Sequence, residues 1–329
     1  MENPTPSQID FSIIVVARSE TEIRTVLDSL QKLQALDLRY EVILAIGNCP
    51  SLQRNQAAKI AQGEYLVFLD NDSEVHPALL KYYRDGLSVS PQVAVVGGPS
   101  CLKRSGNRLS SSIHVVFSSE FGLGPFRSRY QSLGPVRKAT ERDLILCNLC
   151  VRKSVFFAEN GFHEKLYPNE ENEFLNRLRD KYEIIYHPLA IVYRQQRQTI
   201  LEFLQQMLGY GKGRVKAYLL RPLCLDFIFF VPLVFCLYVT SLFLCFTLGL
   251  SFSPLLWLPF GLYWVLGVVA SGFRAWSLRS PAELLRLPPL FFFCHYSYGV
   301  GLTMGLVSSV FPERQREKFW EVRRLELSK

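Results

Sequence analysis

Three long apolar runs crowd the last third of this 329-residue chain and separate a part built for water from a part that is not. Leu223 to Phe252 is nearly unbroken and carries one charge, Asp226; Pro254 to Gly272 and Leu287 to Phe311 follow. A helix needs ~20 apolar residues to cross a hydrocarbon core of roughly 30 Å, and each run is long enough. One such run can be a buried core helix, but three in a cluster point to membrane insertion. The third run carries His295, Tyr296, Tyr298 and several glycines. It reads either as a span with a polar face or as a re-entrant or interfacial segment. Pattern alone therefore divides the chain into a polar tail over 1–10, a water-soluble domain over 11–200 and a basic amphipathic juxtamembrane segment over 201–222. An apolar region over 223–311, with spans at about 223–250, 254–272 and 287–311, precedes a charged tail over 312–329.

A net charge of +8 raises the question of nucleic acid. Much of the excess, however, flanks the apolar runs: Lys212, Arg214, Lys216 and Arg221, then Arg274, Arg279 and Arg286. Basic residues at such positions favour the cytoplasmic side and anionic headgroups. No aromatic-interleaved basic motif accompanies them, so membrane lipids are the expected partner and nucleic acid is not. The first ten residues lack the charged-then-apolar pattern of a secretory signal, which leaves residues 1 to about 220 in the cytoplasm. The tail from Arg314 to Lys329 is basic and prefers the inside, whereas three spans would put it outside. Eight cysteines show no paired spacing. The lone C-x-x-C at Cys147 and Cys150 lacks the second half of a zinc site and reads as packing.

The soluble part alternates strand and helix. Phe11 to Ala17, Tyr40 to Ile46 and Tyr65 to Leu69 read as buried strands; Thr21 to Leu36 and Gln53 to Gln62 read as the helices between them. That order implies an α/β fold with a mostly parallel sheet covered on both faces. Ligands of such sheets bind beyond the carboxyl ends of the strands. The three exits, Arg18-Ser19-Glu20, Gly47-Asn48 and Asp70-Asn71-Asp72, then converge on one crevice. A fourth strand, Val93 to Val96, ends in Gly97-Gly98-Pro99, and Ser100 to Arg142 is rich in Ser, Gly, Pro and Arg. So long an irregular stretch reads either as a loop shaping access for a second substrate or as disorder.

Asp70-Asn71-Asp72-Ser73 is composed of turn formers, and a plain turn is its simplest reading. Its place at a strand exit makes it a site candidate as well. Carboxylates at i and i+2 of a strand point to one side. Such a pair repels unless a cation intervenes, and hard oxygens suit Mg²⁺ or Mn²⁺. A second acidic cluster, Asn169-Glu170-Glu171-Asn172-Glu173, opens a helix with apolar residues at 174, 175 and 178. First-turn acids are ordinary helix chemistry. Fed by the Gly161 to Glu164 turn and Pro168, one of them can also act as a general base toward a hydroxyl.

These residues resemble the family 2 glycosyltransferases with the GT-A fold. The likeness runs from the Ser12–Ala17 strand through Arg54-Asn55-Gln56-Ala57-Ala58, Ala61-Gln62-Gly63-Glu64-Tyr65 and Phe68-Leu69-Asp70-Asn71-Asp72. It continues through Asn148-Leu149-Cys150-Val151-Arg152, Gly161-Phe162 and the Glu170-Glu171 pair to Tyr210-Gly211-Lys212-Gly213-Arg214. With C-terminal spans it is most similar to the exopolysaccharide, succinoglycan-type branch. The resemblance implies an inverting transfer from a nucleotide-diphospho-sugar to a hydroxyl, with Asp72 on a divalent metal and Asp70 on metal or ribose. It sets Glu171 at the catalytic base position with Glu170 beside it, and Arg18 and Glu20 at the nucleotide. The family's acidic segment after the second strand is replaced here by Gly47-Asn48-Cys49-Pro50-Ser51, which leaves Asn48 and Arg54 as candidates for the base. Gln195-Gln196-Arg197-Gln198 lacks the Trp of processive synthases, so a single addition is expected. Lys212 and Arg214 read as a diphosphate clamp or as a solvated basic face.

The expectation is a multi-pass protein of the inner or plasma membrane that extends a lipid-linked glycan, in a polysaccharide assembly complex, with its catalytic domain in the cytoplasm. Transfer to a polyprenyl phosphate is the rival within the fold, and a non-catalytic scaffold of an envelope-glycan complex is the rival outside it. A channel has little support, since only Asp226 and His295 offer buried polarity.

Overall fold

The structure is a computed structural model that describes residues 9–35, 37–103, 107–220, 227–250, 253–309 and 318–325. Arg221, Asp226 and Arg314 lie outside the described residues. Two compact units emerge, and they do not follow chain order. One comprises Met1–Lys103, Ser128–Gln195 and Gln315–Lys329; the other comprises Arg104–Arg127 and Gln196–Arg314.

The first unit is an α/β domain. Its strands are β1 (Phe11–Ala17), β2 (Tyr40–Gly47), β3 (Tyr65–Asp70), β4 (Glu74–Val75), β5 (Val93–Gly97), β6 (Ser100–Leu102), β7 (Arg137–Lys138), β8 (Leu149–Arg152), β9 (Glu183–Tyr186), β10 (Val192–Arg194) and β11 (Trp320–Leu325). Eight form one sheet in the order β11-β2-β1-β3-β8-β5-β9-β7, and β4-β10-β6 form a small second sheet. β1 pairs in parallel with β2 and β3, as the apolar runs and the intervening helices require. Beyond β3 the sheet is mixed, because β8 runs antiparallel to both β3 and β5. It arrives after a long excursion of the chain rather than through a helical crossover, so nothing enforces a parallel approach.

Side-chain alternation gives the sheet two apolar faces. Phe11, Ile13 and Val15 join one cluster, while Ile14, Val16 and Phe68 join the other. Helices α1 (Arg24–Leu30), α2 (Pro50–Ile60), α3 (Leu79–Leu87), α6 (Lys153–Ala158) and α7 (Glu170–Leu178) belong to this unit; α4 (Arg108–Phe117) and α5 (Glu120–Leu123) belong to the other. The expected Thr21–Leu36 helix is much shorter, since a 3-10 turn at Glu20–Glu22 precedes α1. α2 begins earlier than expected because Pro50 occupies its first turn, where a missing N–H is harmless. Gln53 on α2 donates to the carbonyls of Ala17 (3.0 Å) and Ala45 (2.7 Å), which ties the ends of β1 and β2 together.

β11 reports a further difference. The tail read as a charged C-terminal segment contributes an edge strand, antiparallel to β2, from Trp320 opposite Gly47 to Leu325 opposite Val42.

The second unit is helical and adds α8 (Ile200–Leu220), α9 (Val231–Thr247), α10 (Leu258–Ser277) and α11 (Glu283–Ser308). The stretch expected as an irregular loop supplies α4, whose start is capped by the Asn107 side chain accepting from the Ser110 N–H at 2.7 Å. Three helical segments, Ile228–Thr247, Pro254–Ser277 and Glu283–Ser308, are long and apolar enough to cross a membrane. α11 packs along α8 at small residues: Gly301 lies against the Leu208 backbone and Gly305 against Val215.

Candidate active site

The site starts at the end of β3. Asp70 is its last residue, and a tight turn follows in which the Ser73 N–H donates to the Asp70 carbonyl at 3.1 Å while Ser73 Oγ accepts from the Asp70 N–H. This turn holds Asn71 and Asp72 out beyond the sheet. The Asn71 amide donates to Glu22 at 3.1 Å, which links the exits of β1 and β3.

Arg54, on α2, sits between the two acidic clusters. Its Nη2 donates to Asp70 Oδ1 and its Nη1 to Glu170 Oε1, both at 2.8 Å, with the Arg54 side chain 3% exposed. A buried guanidinium with a carboxylate on each fork fixes both acids more firmly than any exposed pair. Arg54 was expected beside a nucleotide base. In the structure it forms an internal bridge between the two acids.

Arg194, at the end of β10, closes the other side. Its Nε and Nη2 grip Asp72 at 2.8 and 3.0 Å, and its Nη1 reaches Asp70 at 3.2 Å. β10 is held there by pairing with β4 (Tyr193 opposite Glu74) and β6.

α7 delivers the second cluster. Asn169, ahead of its first turn, adopts a left-handed backbone with φ +81°, and Glu170, Glu171, Asn172 and Glu173 are all buried. Glu173 is paired with Arg177 one turn on, at 2.8 Å. Burial pushes the Glu170 carboxyl up, and Arg54 offsets this only in part since it is shared with Asp70 and Glu171 stands next door. Glu171 is less enclosed. It accepts from the Asn172 amide at 3.2 Å and faces Arg129 at 3.9 Å. Arg129 in turn donates to Asn172 and to the Glu141 and Arg142 carbonyls, which braces the start of α7.

The expected site residues thus fall into separate groups. Asp70, Asp72 and Glu170 come together around the guanidinium groups of Arg54 and Arg194, and Glu171, next to Glu170, faces Arg129. Arg18 is exposed just beyond β1, Glu20 pairs with Arg323 of β11 at 2.6 Å, and Asn48 binds the tail main chain. Lys212 and Arg214 lie on α8 in the helical unit, where the Arg214 guanidinium rests over the Phe229 ring at 3.8 Å. Arg214, read as part of a diphosphate clamp or as a basic face, makes a buried stacking contact there.

Arg194 and Arg129 escaped the sequence reading. Each is an ordinary arginine in its local context, and only the pairing of β10 and the return of the chain to α7 give it a role. β11 left a trace, since Trp320, Glu321, Val322 and Arg323 alternate apolar and charged.

The expected divalent ion at Asp70 and Asp72 does not fit this arrangement as it stands. Both oxygens of Asp72 and both of Asp70 are engaged by guanidinium groups. Among the described residues, no group of three or more His, Cys, Asp or Glu side chains is disposed to hold a metal.

Residues 8–155 match the model of glycosyl transferase family 2. No curated protein matches the sequence. Among solved structures, the chain is similar to mannosyltransferase PcManGT from Pyrobaculum calidifontis, in complex with GDP-Man and Mn²⁺, at 13% identity and a TM-score of 0.49, covering 94% of this chain and 91% of that one. It is also similar to S. aureus TarS 1-349 in complex with UDP-GlcNAc, at 15% identity and a TM-score of 0.42, covering 92% of each. Over residues 8–155 the chain is thus similar to the family 2 glycosyltransferases, and helices follow of which three, among the described residues, are apolar enough to span a membrane.

Proposed function

We propose that this protein transfers a sugar from a nucleotide-diphospho-sugar to a hydroxyl of a lipid-linked glycan, with inversion, and that Glu171 is the base. The observation that carries this reading is the Arg54 bridge, which sets the Asp70 end and the Glu170-Glu171 end on opposite sides of one buried guanidinium. In the reaction the acceptor oxygen attacks the anomeric carbon as its proton passes to Glu171. The bond to the diphosphate breaks on the opposite face, and the diphosphate leaves with the electron pair. Glu171 suits the base role better than Glu170, which is 1% exposed and tied to Arg54. Glu170 then acts as an anchor for Arg54. The acids at the β3 exit mark the diphosphate end of the crevice.

The test is turnover of a donor panel by the full chain in detergent. Glu171→Gln is expected to lower transfer by a hundredfold or more, the usual scale for a general base, while donor binding stays within twofold. Unchanged turnover in both Glu171→Gln and Asp72→Ala would remove the site assignment.

The membrane reading gains a constraint from β11. A tail strand hydrogen-bonded to β2 belongs to the same folded unit as the catalytic residues, so both ends of the helical region share one side of the bilayer. The number of crossings is then even. α9 and α10 form the crossing hairpin, and α11 lies at the interface. Its apolar window is 44% buried within the protein, against 22% and 11% for the other two, and Pro288 and Pro289 lie inside its first half. His295, midway along it, contacts the Gly122 carbonyl at 2.8 Å. The side is the cytoplasm, as the basic residues favour.

A further inference from the structure

The departure after β2 leaves the donor's base without its expected acidic partner, and the C-terminal tail fills that position. β11 runs antiparallel to β2 and begins at the carboxyl end of β2, with Trp320 opposite Gly47. Lys318, Phe319 and Trp320 therefore lie on the edge of the sheet where ligands of parallel strands bind. The junction is built rather than incidental. The Asn48 N–H donates to the Phe319 carbonyl at 3.2 Å, and the Phe319 N–H donates back to Asn48 Oδ1 at 3.0 Å. A Cβ on Gly47 would collide with the Phe319 carbonyl, so the glycine admits the tail. Asn48, Lys318, Phe319 and Trp320 line an open cavity of about 440 Å³. Phe319 and Trp320 stay 54% and 44% exposed.

Spacing supplies the second argument. β11, β2, β1 and β3 are successive neighbours, and strands lie ~4.8 Å apart, so the β11 and β3 exits are roughly 14 Å from each other. Along that edge come an aromatic cleft, then Arg18 and Glu20 beyond β1, then the acid–guanidinium cluster of Asp70 and Asp72. This is the order and scale of a base, a ribose and a diphosphate. Arg323 pairs with Glu20 at 2.6 Å and so ties the tail to the middle of the same edge.

We propose that Phe319 and Trp320 form the wall on which the donor's nucleobase stacks, with Asn48 holding the tail in place. The inference rests on the transfer reading above and names the part of its donor site that lies in the tail. Stacking on aromatic rings is tolerant of base identity, so purine and pyrimidine nucleotides are both affected by its loss.

Calorimetry on the full chain in detergent, with UDP, GDP and inorganic pyrophosphate as probes, tests it. Trp320→Ala and Phe319→Ala are each expected to weaken UDP and GDP binding tenfold or more, with pyrophosphate changed less than twofold. Trp320→Phe restores nucleotide binding to within about threefold, because a stacking ring is retained. Loss of pyrophosphate binding along with nucleotide binding in the alanine variants would mean that the tail merely supports the fold, and overturns the proposal. Nucleotide binding equal to wild type in both alanine variants also overturns it. Wild-type protein that binds neither nucleotide overturns the transfer reading together with this one, and is told apart by that control.

Discussion

Arg194 and Asp72, 122 residues apart in sequence, form a two-point ion pair at 2.8 and 3.0 Å, and the same guanidinium reaches Asp70 at 3.2 Å. The acid pair that reads as a cation site in the sequence already holds a cation that the chain supplies. A planar guanidinium matches two carboxylates better than a lysine would, and it must be displaced before any ion takes both acids.

Arg194→Gln is therefore expected to raise Mn²⁺ affinity about tenfold, measured by the loss of free-ion signal in a paramagnetic resonance titration of the full chain. Asp72→Asn in the same background is expected to abolish the gain. Equal affinity in wild type and Arg194→Gln would show that the guanidinium does not compete.

Arg54 offers a stability test. Removing one partner of a buried pair leaves an uncompensated charge and costs about 3–5 kcal/mol. Arg54→Met strands Asp70 and Glu170 together, so its denaturation midpoint should fall sharply. Arg54→Met combined with Glu170→Gln should recover part of the loss above the raised Glu170 pKa, where one buried charge is then gone.

Glu170 gives a pH signature. Burial raises its folded pKa above the ordinary value of 4.5, so the folded protein binds that proton more tightly than the unfolded chain. Its contribution is fully present below 4.5 and is lost as pH climbs through the raised value. Stability of wild type relative to Glu170→Gln should therefore decline with rising pH, by at most about 1.4 kcal/mol per unit. Melting curves of the two proteins between pH 5 and 9 check the sign. A difference that grows with pH would contradict it.

The even count of crossings is open to direct labelling. A reporter fused after Lys329 is expected to face the same side as one fused before Met1. Reporters on opposite sides would mean three crossings and a β11 pairing that does not form in the membrane.

Sequence by itself determined the parallel core of β1, β2 and β3, because each is a short, fully apolar run separated by local helix and turn signals. It determined the two acidic clusters, since carboxylates at a strand exit and at a helix start are visible without coordinates, and it located the apolar helices by length. Tertiary structure decided what neutralises those acids. Arg54 and Arg194 differ from other arginines only in where α2 and β10 carry them, and burial turns that placement into fixed ion pairs. It also decided the fate of the tail. Without β11, β2 would be the edge of the sheet with open hydrogen-bonding groups, which any extended segment of suitable alternation can cover. Only the folded path of the chain brings Trp320 to Leu325 there, beside the crevice that the acids define.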